Sequence, residues 1–402
     1  MNTHALSGIR IADFSWVGAG SFTTKLLADH GADVIKIESS HKVDGLRLAP
    51  PFSGGEPGHN RSGYFADRNS SKRSITVNLK SAEGREVARS LIRASDVVVN
   101  NFTPGVMDRF GLGWADVRQF KPDIVYLAMS MQGATGPSSA ELGYGMTIGA
   151  LVGLQHLTGL ADDEPVGTGT NYPDHIPNPG HAAFAVLAAL RHRRRTGEGQ
   201  YIDLAQTEPT IALLGTALLQ AETTGIDPVR NGNHHARHAP HNVYPCTGDD
   251  EWVALAVTDD RQWEALADLL GIERRPEWTH ETGRKAAEQD LDTAIRDRTI
   301  HWEAEQLAER ARAAGVAAGK VNNARDLLAD PQLAHRDHWI RLRHPEMGST
   351  VYSAPAFRLS KTPGELSRPA PCLGQHTQEV CESVLHLTPE ETQRLRDSGA
   401  LT

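Results

Sequence analysis

The sequence predicts an α/β fold: a Rossmann-like large domain with a parallel sheet, joined to a smaller α+β domain. Three observations predict it. Short apolar runs of strand length alternate with helical stretches through about residue 205. Gly-containing turns follow the first of these runs. Beyond that point the alternation loosens into an irregular, His-rich stretch with its own strands and helices.

The first unit reads "GIRIADFSWVGAGSFTTKLLADHGADVIKIES". Ile9–Phe14 and Val34–Ile37 are short apolar runs suited to buried parallel strands, and the stretch between them has helical spacing at Phe22, Leu26 and Leu27. "SAEGREVARSLIRASDVVVNNF" repeats the plan, with Val87, Leu91 and Ile92 on a helix and Val97–Val99 on a strand. "FKPDIVYLAMS" adds a further strand. The loops Ser15–Ser21, Asn100–Pro104 and Ser130–Pro137 follow strand ends and are expected to converge on one crevice. Strand-like "EWVALAV" and the helix-like "DDRQWEALADLLG" and "HWEAEQLAERARAAG" mark the smaller unit. The expected organisation is a large domain over 1–205, a linker helix over 206–224, a small α+β domain over 225–325 and a C-terminal segment over 326–402. That segment ends in an amphipathic helix for which Thr388 is a suitable cap.

Composition narrows the function. With 402 residues, 39% hydrophobic and 23% charged, the chain is globular. A net charge of -9 argues against nucleic acid as a partner, although a local basic pocket for one phosphorylated ligand is compatible with it. No segment has the length and apolarity of a membrane span, and the first residues lack the pattern of a secretory signal. Cys246, Cys372 and Cys381 suit a reducing compartment and form no metal or disulfide framework. A cytoplasmic enzyme is the expected class.

Several motifs carry less than they suggest. Gly18-Ala19-Gly20 lacks the third glycine of a dinucleotide fingerprint, although Glu38 stands where a ribose acid would, so a tight packing turn is the better reading. His234, His235, His238 and His241 lie in a loop bracketed by Gly232 and Pro240, with no companion ligand at a familiar spacing. A polar linker or lid is expected there, and no metal. Arg191, Arg193, Arg194 and Arg195 precede Gly197 at the end of a helix, where the dipole favours them.

Asp174 stands in "NYPDHIPNPG", ahead of an Ala-rich helix that Asn178 can cap and Pro179 can open. Residue chemistry leaves three roles for it: a cap, a solvated loop charge or a nucleophile.

Six phrases together resemble the class III CoA-transferase family, which also contains α-methylacyl-CoA racemase. They are "LSGIRIADFSWVGAGSFTTKLLADHGADVIKIE", "NSSKRSITVNLKSAEGREV", "DVVVNNFTPGVMDRFGLGWADV", "VYLAMSMQGATGP", "HAAFAVLAALRHRRRTGEGQYIDLAQTE" and "LGQHTQEV". The resemblance implies a fold whose C-terminal segment returns to the large domain, and an interlaced homodimer. It implies a CoA-transferase that moves coenzyme A from an acyl-CoA to a small carboxylic acid, with CoA as substrate and no tightly bound cofactor. Asp174 takes the nucleophile's place. Val17, Asn101, Phe102 and Arg109 take places that contact CoA, as does the basic pair Lys72 and Arg73, while Trp16, Gly18 and Tyr144 take places in the acyl pocket. Ser39 and Ser40 stand where a basic residue often follows the second strand. The racemase branch needs a histidine where this sequence reads "SAELGYGMTIG", which makes racemase the second reading and a non-catalytic CoA-binding protein the third.

Overall fold

The computed structural model describes residues 4–402. Six strands, Arg10–Asp13 (β1), Asp33–Glu38 (β2), Arg73–Thr76 (β3), Val97–Asn100 (β4), Val125–Ala128 (β5) and Gln200–Asp203 (β6), form one parallel sheet in the order β3-β2-β1-β4-β5-β6. The strand order reverses between β1 and β4, where Ile11 pairs with Val97, and this places a crevice beyond their carboxyl ends.

The central strands β4 and β5 are covered on both faces and are almost wholly apolar, whereas β1, β2 and β3 also bury charged and polar side chains, among them Asp13, Lys36, Glu38 and Ser74. Alternate side chains go to opposite sides. Ala12, Ile35, Ile37, Ile75 and Val98 pack with Val87, Leu91 and Ile92, whereas Ile11, Val34, Val97, Val99 and Leu127 pack with Leu27, Ala182 and Val186. The helices that concern the crevice are Val17–Ala28 (α1), Gly63–Arg68 (α2), Ala82–Arg93 (α3), Val106–Arg109 (α4), Trp114–Phe120 (α5), Gly145–Leu151 (α6), Tyr172–His175 (α7), Pro177–Thr196 (α8), Thr207–Ile211 (α9) and Gly215–Thr224 (α10). Ser81 caps α3 by accepting the Gly84 N–H at 2.9 Å, and a Cβ on Gly84 would stand 2.1 Å from the Asn78 carbonyl oxygen. Only glycine fits that approach.

The start of α8 differs from the expectation. The helix begins at Pro177 with Ile176 before it and no side-chain cap, and Asn178 lies inside the first turn with its amide 3.5 Å from Gln206 Oε1. Its other end is as the sequence suggests: Gly197 adopts φ 81° and its N–H donates to the Arg193 carbonyl at 2.7 Å.

The chain divides into two compact units. One comprises the described residues up to Gln155 with Gly167–Pro228 and Ala334–Thr402; the other comprises His156–Val166 and Val229–Leu333. The first unit contains the parallel sheet and a two-stranded antiparallel ribbon, Trp339–His344 with Gly348–Ser353. Its final helix, Pro389–Asp397, opens on a capping box made by Thr388 and Glu391, and Leu395 joins the core of the parallel sheet. The second unit is a three-stranded antiparallel sheet of His241–Pro245, Trp252–Ala256 and Ala317–Lys320, with Trp263, Trp278, Leu291 and Leu307 in its core. No helix among the described residues is long and apolar enough to cross a membrane.

Candidate active site

The loops after β1 and β4, the segment ending at Tyr144 and Asp174 line one cavity of about 730 Å³ within the first unit. Of the Ser130–Pro137 loop only Met131 reaches it.

The turn after β1 is fixed from below. Asn101 accepts the Trp16 N–H at 2.8 Å and donates to the Trp16 carbonyl at 2.7 Å, gripping the backbone on both sides of the Trp16 Cα with the two ends of its amide. Val17 adopts φ 59°, a left-handed backbone that a β-branched residue rarely holds. Asp44 accepts its N–H at 2.9 Å, and the other Asp44 oxygen lies 2.9 Å from the Lys36 ammonium, which in turn donates to the Ser15 carbonyl at 2.7 Å. Trp16 and Val17 thereby use two of the four N–H groups that open α1, and those of Gly18 and Ala19 have no intrahelical acceptor. The glycines serve close approach: a Cβ on Gly20 would lie 2.4 Å from Ser15 Cβ, and one on Gly18 would lie 2.9 Å from Asp174 Cβ.

Asp174 occupies the one-turn helix α7 and is buried. Its Oδ2 accepts the Gly145 N–H at 3.2 Å, at the start of α6, and a Cβ on Gly145 would crowd that oxygen at 2.9 Å. Burial pushes its carboxyl up to about 6, against the pull of the Gly145 hydrogen bond. The neighbouring His175 is pushed down to about 4, first by burial and then by the charge of Arg68. His175 Nε2 and Tyr64 Oη share a hydrogen bond of 2.9 Å, and burial raises the Tyr64 phenol so that it keeps its proton.

Trp16, Val17, Gly18, Asn101, Phe102, Arg109, Tyr144 and Asp174 all line the cavity. Lys72 and Arg73 do not. Lys72 is sealed beneath α1, where it meets Asp13 Oδ2 at 3.2 Å, the Ser21 carbonyl at 2.8 Å and Asn69 Oδ1 at 2.9 Å. Burial, partly offset by Asp13, lowers it to about 8. Asp13 itself is held low: burial acts to raise it, but Lys72, Lys36 and the hydroxyls of Ser15 and Thr24 outweigh that. Arg73 is committed to Asp33 at 2.6 Å and Glu379 at 3.0 Å. This pair therefore holds the sheet edge and the turn together. The cations that do line the cavity beside Arg109 are Lys42, whose ammonium lies 5.5 Å from the Trp16 ring centroid, and Lys80. Sequence reasoning missed both. Lys42 comes two residues after the Ser39-Ser40 pair, and nothing in the local sequence marks it as facing the cavity.

The His-rich loop lies in the second unit and is tied to that unit's own acids, His238 Nδ1 to Glu281 at 2.5 Å and His234 Nε2 to Asp292 at 3.0 Å. No cluster of His, Cys, Asp and Glu among the described residues is arranged to hold a metal ion. Arg193, from the basic run, pairs with Asp96 at 2.6 Å at the far end of α8.

A family profile described as CoA-transferase family III matches residues 6–377. The chain belongs to that family. This family III chain is 33% identical over 384 residues to succinate–glutarate CoA-transferase of Agrobacterium fabrum, covering 93% of this chain and 94% of the relative. It is 31% identical over 394 residues to succinyl-CoA–D-citramalate CoA-transferase of Chloroflexus aurantiacus, covering 97% and 96%. The crystal structure of a CaiB/BaiF family protein from Brucella suis superposes with a TM-score of 0.88 at 30% identity, covering 95% of this chain and all of that one. CoA transfer, within acyl-CoA metabolism, is accordingly the activity of the family III chain described here.

Proposed function

We propose that Asp174 is the nucleophile of this CoA-transferase and that the cavity beside it receives acyl-CoA. One observation carries the reading: a buried carboxylate lines the same cavity as Lys42, Lys80 and Arg109, cations that form no ion pair among the described residues. CoA carries a diphosphate and a further phosphate at one end and a thioester at the other, so it needs both features in one space. Phe102 and Val17 supply apolar wall for its central arm, and Asn101 acts through the Trp16 backbone that it grips.

In the first step an Asp174 oxygen attacks the thioester carbonyl, the C–S bond breaks, and CoA leaves as a thiolate with a mixed anhydride behind it. The thiolate then attacks the aspartyl carbonyl, expelling the donor acid as a carboxylate and leaving an aspartyl-CoA thioester. The acceptor carboxylate attacks that thioester carbonyl, and the released thiolate takes the acceptor's acyl group from the second anhydride. No net proton is exchanged. The N–H groups of Gly18 and Ala19 are placed to receive the oxyanion that each attack creates. Exclusion of water keeps the anhydrides from hydrolysis.

The acids named for the two curated relatives, succinate, glutarate and D-citramalate, each carry two carboxylates, and short dicarboxylic acids are the substrates proposed here. Racemisation needs two bases on one α-carbon. His175, although next to Asp174 in the chain, lines a different cavity and is a poor base near neutral pH. An interlaced homodimer is proposed as the working form, supported by apolar helix surface with nothing on it: α10 has no buried residue, and Leu219 is 63% and Phe184 73% exposed.

The test is Asp174→Ala assayed for CoA transfer from succinyl-CoA to glutarate and D-citramalate. Loss of about three orders of magnitude or more in kcat is expected; transfer at the wild-type rate would overturn the assignment.

A further inference from the structure

Against the turn between β1 and α1 lie a cation and an anion that the transfer chemistry leaves unused. Lys36, on β2, and Asp44, which caps the short helix Gly45–Leu48, form an ion pair of 2.9 Å, and both side chains are wholly shut off from solvent. Burial acts to lower the Lys36 ammonium, but Asp44, Asp13 and Glu38 outweigh it and raise it, so Lys36 keeps its charge. Taking two charges out of water is costly, and an apolar pair of similar volume often serves stability as well or better. The presence of this pair calls for a reason other than stability.

Its contacts supply one. Lys36 donates to the Ser15 carbonyl at 2.7 Å and to the Ser21 hydroxyl at 3.3 Å, and Asp44 Oδ1 accepts the Val17 N–H at 2.9 Å and the Leu46 N–H at 3.0 Å. The two grips fall on either side of Trp16, whose own N–H and carbonyl are held by Asn101. From the Ser15 carbonyl to the Val17 N–H, every backbone polar group thus meets a side chain from another element. The pair is itself anchored, because Arg47, in the helix that Asp44 caps, forks onto the two oxygens of Glu38 at the end of β2, each at 2.7 Å. The clamped segment carries Val17 at φ 59° and delivers Gly18 against Asp174, so close that a Cβ on Gly18 would stand 2.9 Å from Asp174 Cβ. A shift of Val17 would move the Gly18 and Ala19 N–H groups relative to that carboxylate.

We propose that Lys36 and Asp44 are positioning residues of the transfer reaction: their ion pair fixes the Ser15–Val17 backbone so that the Gly18 and Ala19 N–H groups meet the oxyanion formed at each attack. The inference rests on Asp174 being the nucleophile and on those two N–H groups receiving the oxyanion. Neither Lys36 nor Asp44 lines the cavity, so both act through the backbone that they hold. Their loss should fall on the chemical step and spare the binding of CoA.

The experiment compares wild type with two double variants, Lys36→Met with Asp44→Ala and Lys36→Met with Asp44→Asn. Each removes both charges together, so neither is left buried without its partner. After mixing with succinyl-CoA, rapid quench and mass spectrometry give the rate at which the Asp174 adduct forms, divided by the CoA bound in a parallel titration. That division removes any fraction of the protein that fails to fold. The Ala double variant is expected to form the adduct about 10²-fold more slowly, the usual effect of misplacing an oxyanion donor, with Kd for CoA within about threefold of wild type. The Asn double variant, which keeps an oxygen for the Val17 N–H, should lose only about 10-fold. A wild-type rate per bound CoA in the Ala double variant would show the pair to be merely structural and overturn the inference, leaving the nucleophile intact; so would a loss confined to CoA binding. An unmodified Asp174 in wild type that is turning over would instead overturn the nucleophile assignment, and the positioning role with it.

Discussion

A carboxylate that attacks a thioester must be ionised when it meets the carbonyl, yet burial holds the Asp174 proton to about pH 6. The same burial strips water from the ionised form and makes it a stronger nucleophile. The acid limb of a kcat/KM profile should accordingly fall with an apparent pKa near 6, well above that of an ordinary aspartate. Stability should change in the opposite sense. Between the unfolded value, 3.8, and about 6 the native state keeps a proton that the unfolded chain has lost, so rising pH through that window destabilises the fold. Asp174→Asn, which has no charge to desolvate, is therefore expected to be more stable than wild type at pH 8 by roughly 1–3 kcal/mol and nearly equal to it at pH 4, measured by denaturant unfolding. Burial is also what sequence could not supply for Lys72 and Arg73. A Lys-Arg pair in "NSSKRS" reads as exposed charge, and its acids, Asp13, Asp33 and Glu379, come from distant parts of the chain.

At the scale of elements, the reaction depends on the short turn between β1 and α1. Nothing in "DFSWVGAG" indicates that Val17 adopts a left-handed backbone, because Asp44 and Asn101, which hold it there, come from two other loops. The glycines were legible as a tight turn; that Gly18 packs against Asp174 was not, since α7 follows only after more than a hundred residues. Asn101→Ala removes both hydrogen bonds from the Trp16 backbone and should cost about 1–3 kcal/mol in transition-state stabilisation, read as a roughly 10- to 100-fold fall in kcat/KM with the fold retained by circular dichroism. The cations around the cavity should behave differently. Lys42→Ala and Lys80→Ala are expected to raise KM for acyl-CoA several-fold each while changing kcat little, with the effect shrinking as salt rises.

For the whole molecule, the parallel sheet was legible because strand-length apolar runs and helical periodicity are local signals, while the second unit read only as α+β, its antiparallel pairing being set by contacts between distant segments. The α8 start was less so, since a Pro-Asn-Pro run offers several places for a first turn. Long-range charge placement was least legible. The surface of α8 and α10 carries a prediction of its own: light scattering should give twice the mass of the chain, and Leu219→Asp with Phe184→Asp should shift the protein toward monomer or aggregate. A monodisperse monomer in the active wild type would remove the dimer from the account.

Covalent chemistry at Asp174 is the claim on which the rest depends. Incubation with succinyl-CoA, trapping with hydroxylamine and mass spectrometry of the peptide containing residues 172–175 tests it most directly. The account predicts a hydroxamate at Asp174 that appears only with the donor and is absent from Asp174→Ala; an unmodified Asp174 in enzyme shown to be turning over would contradict it.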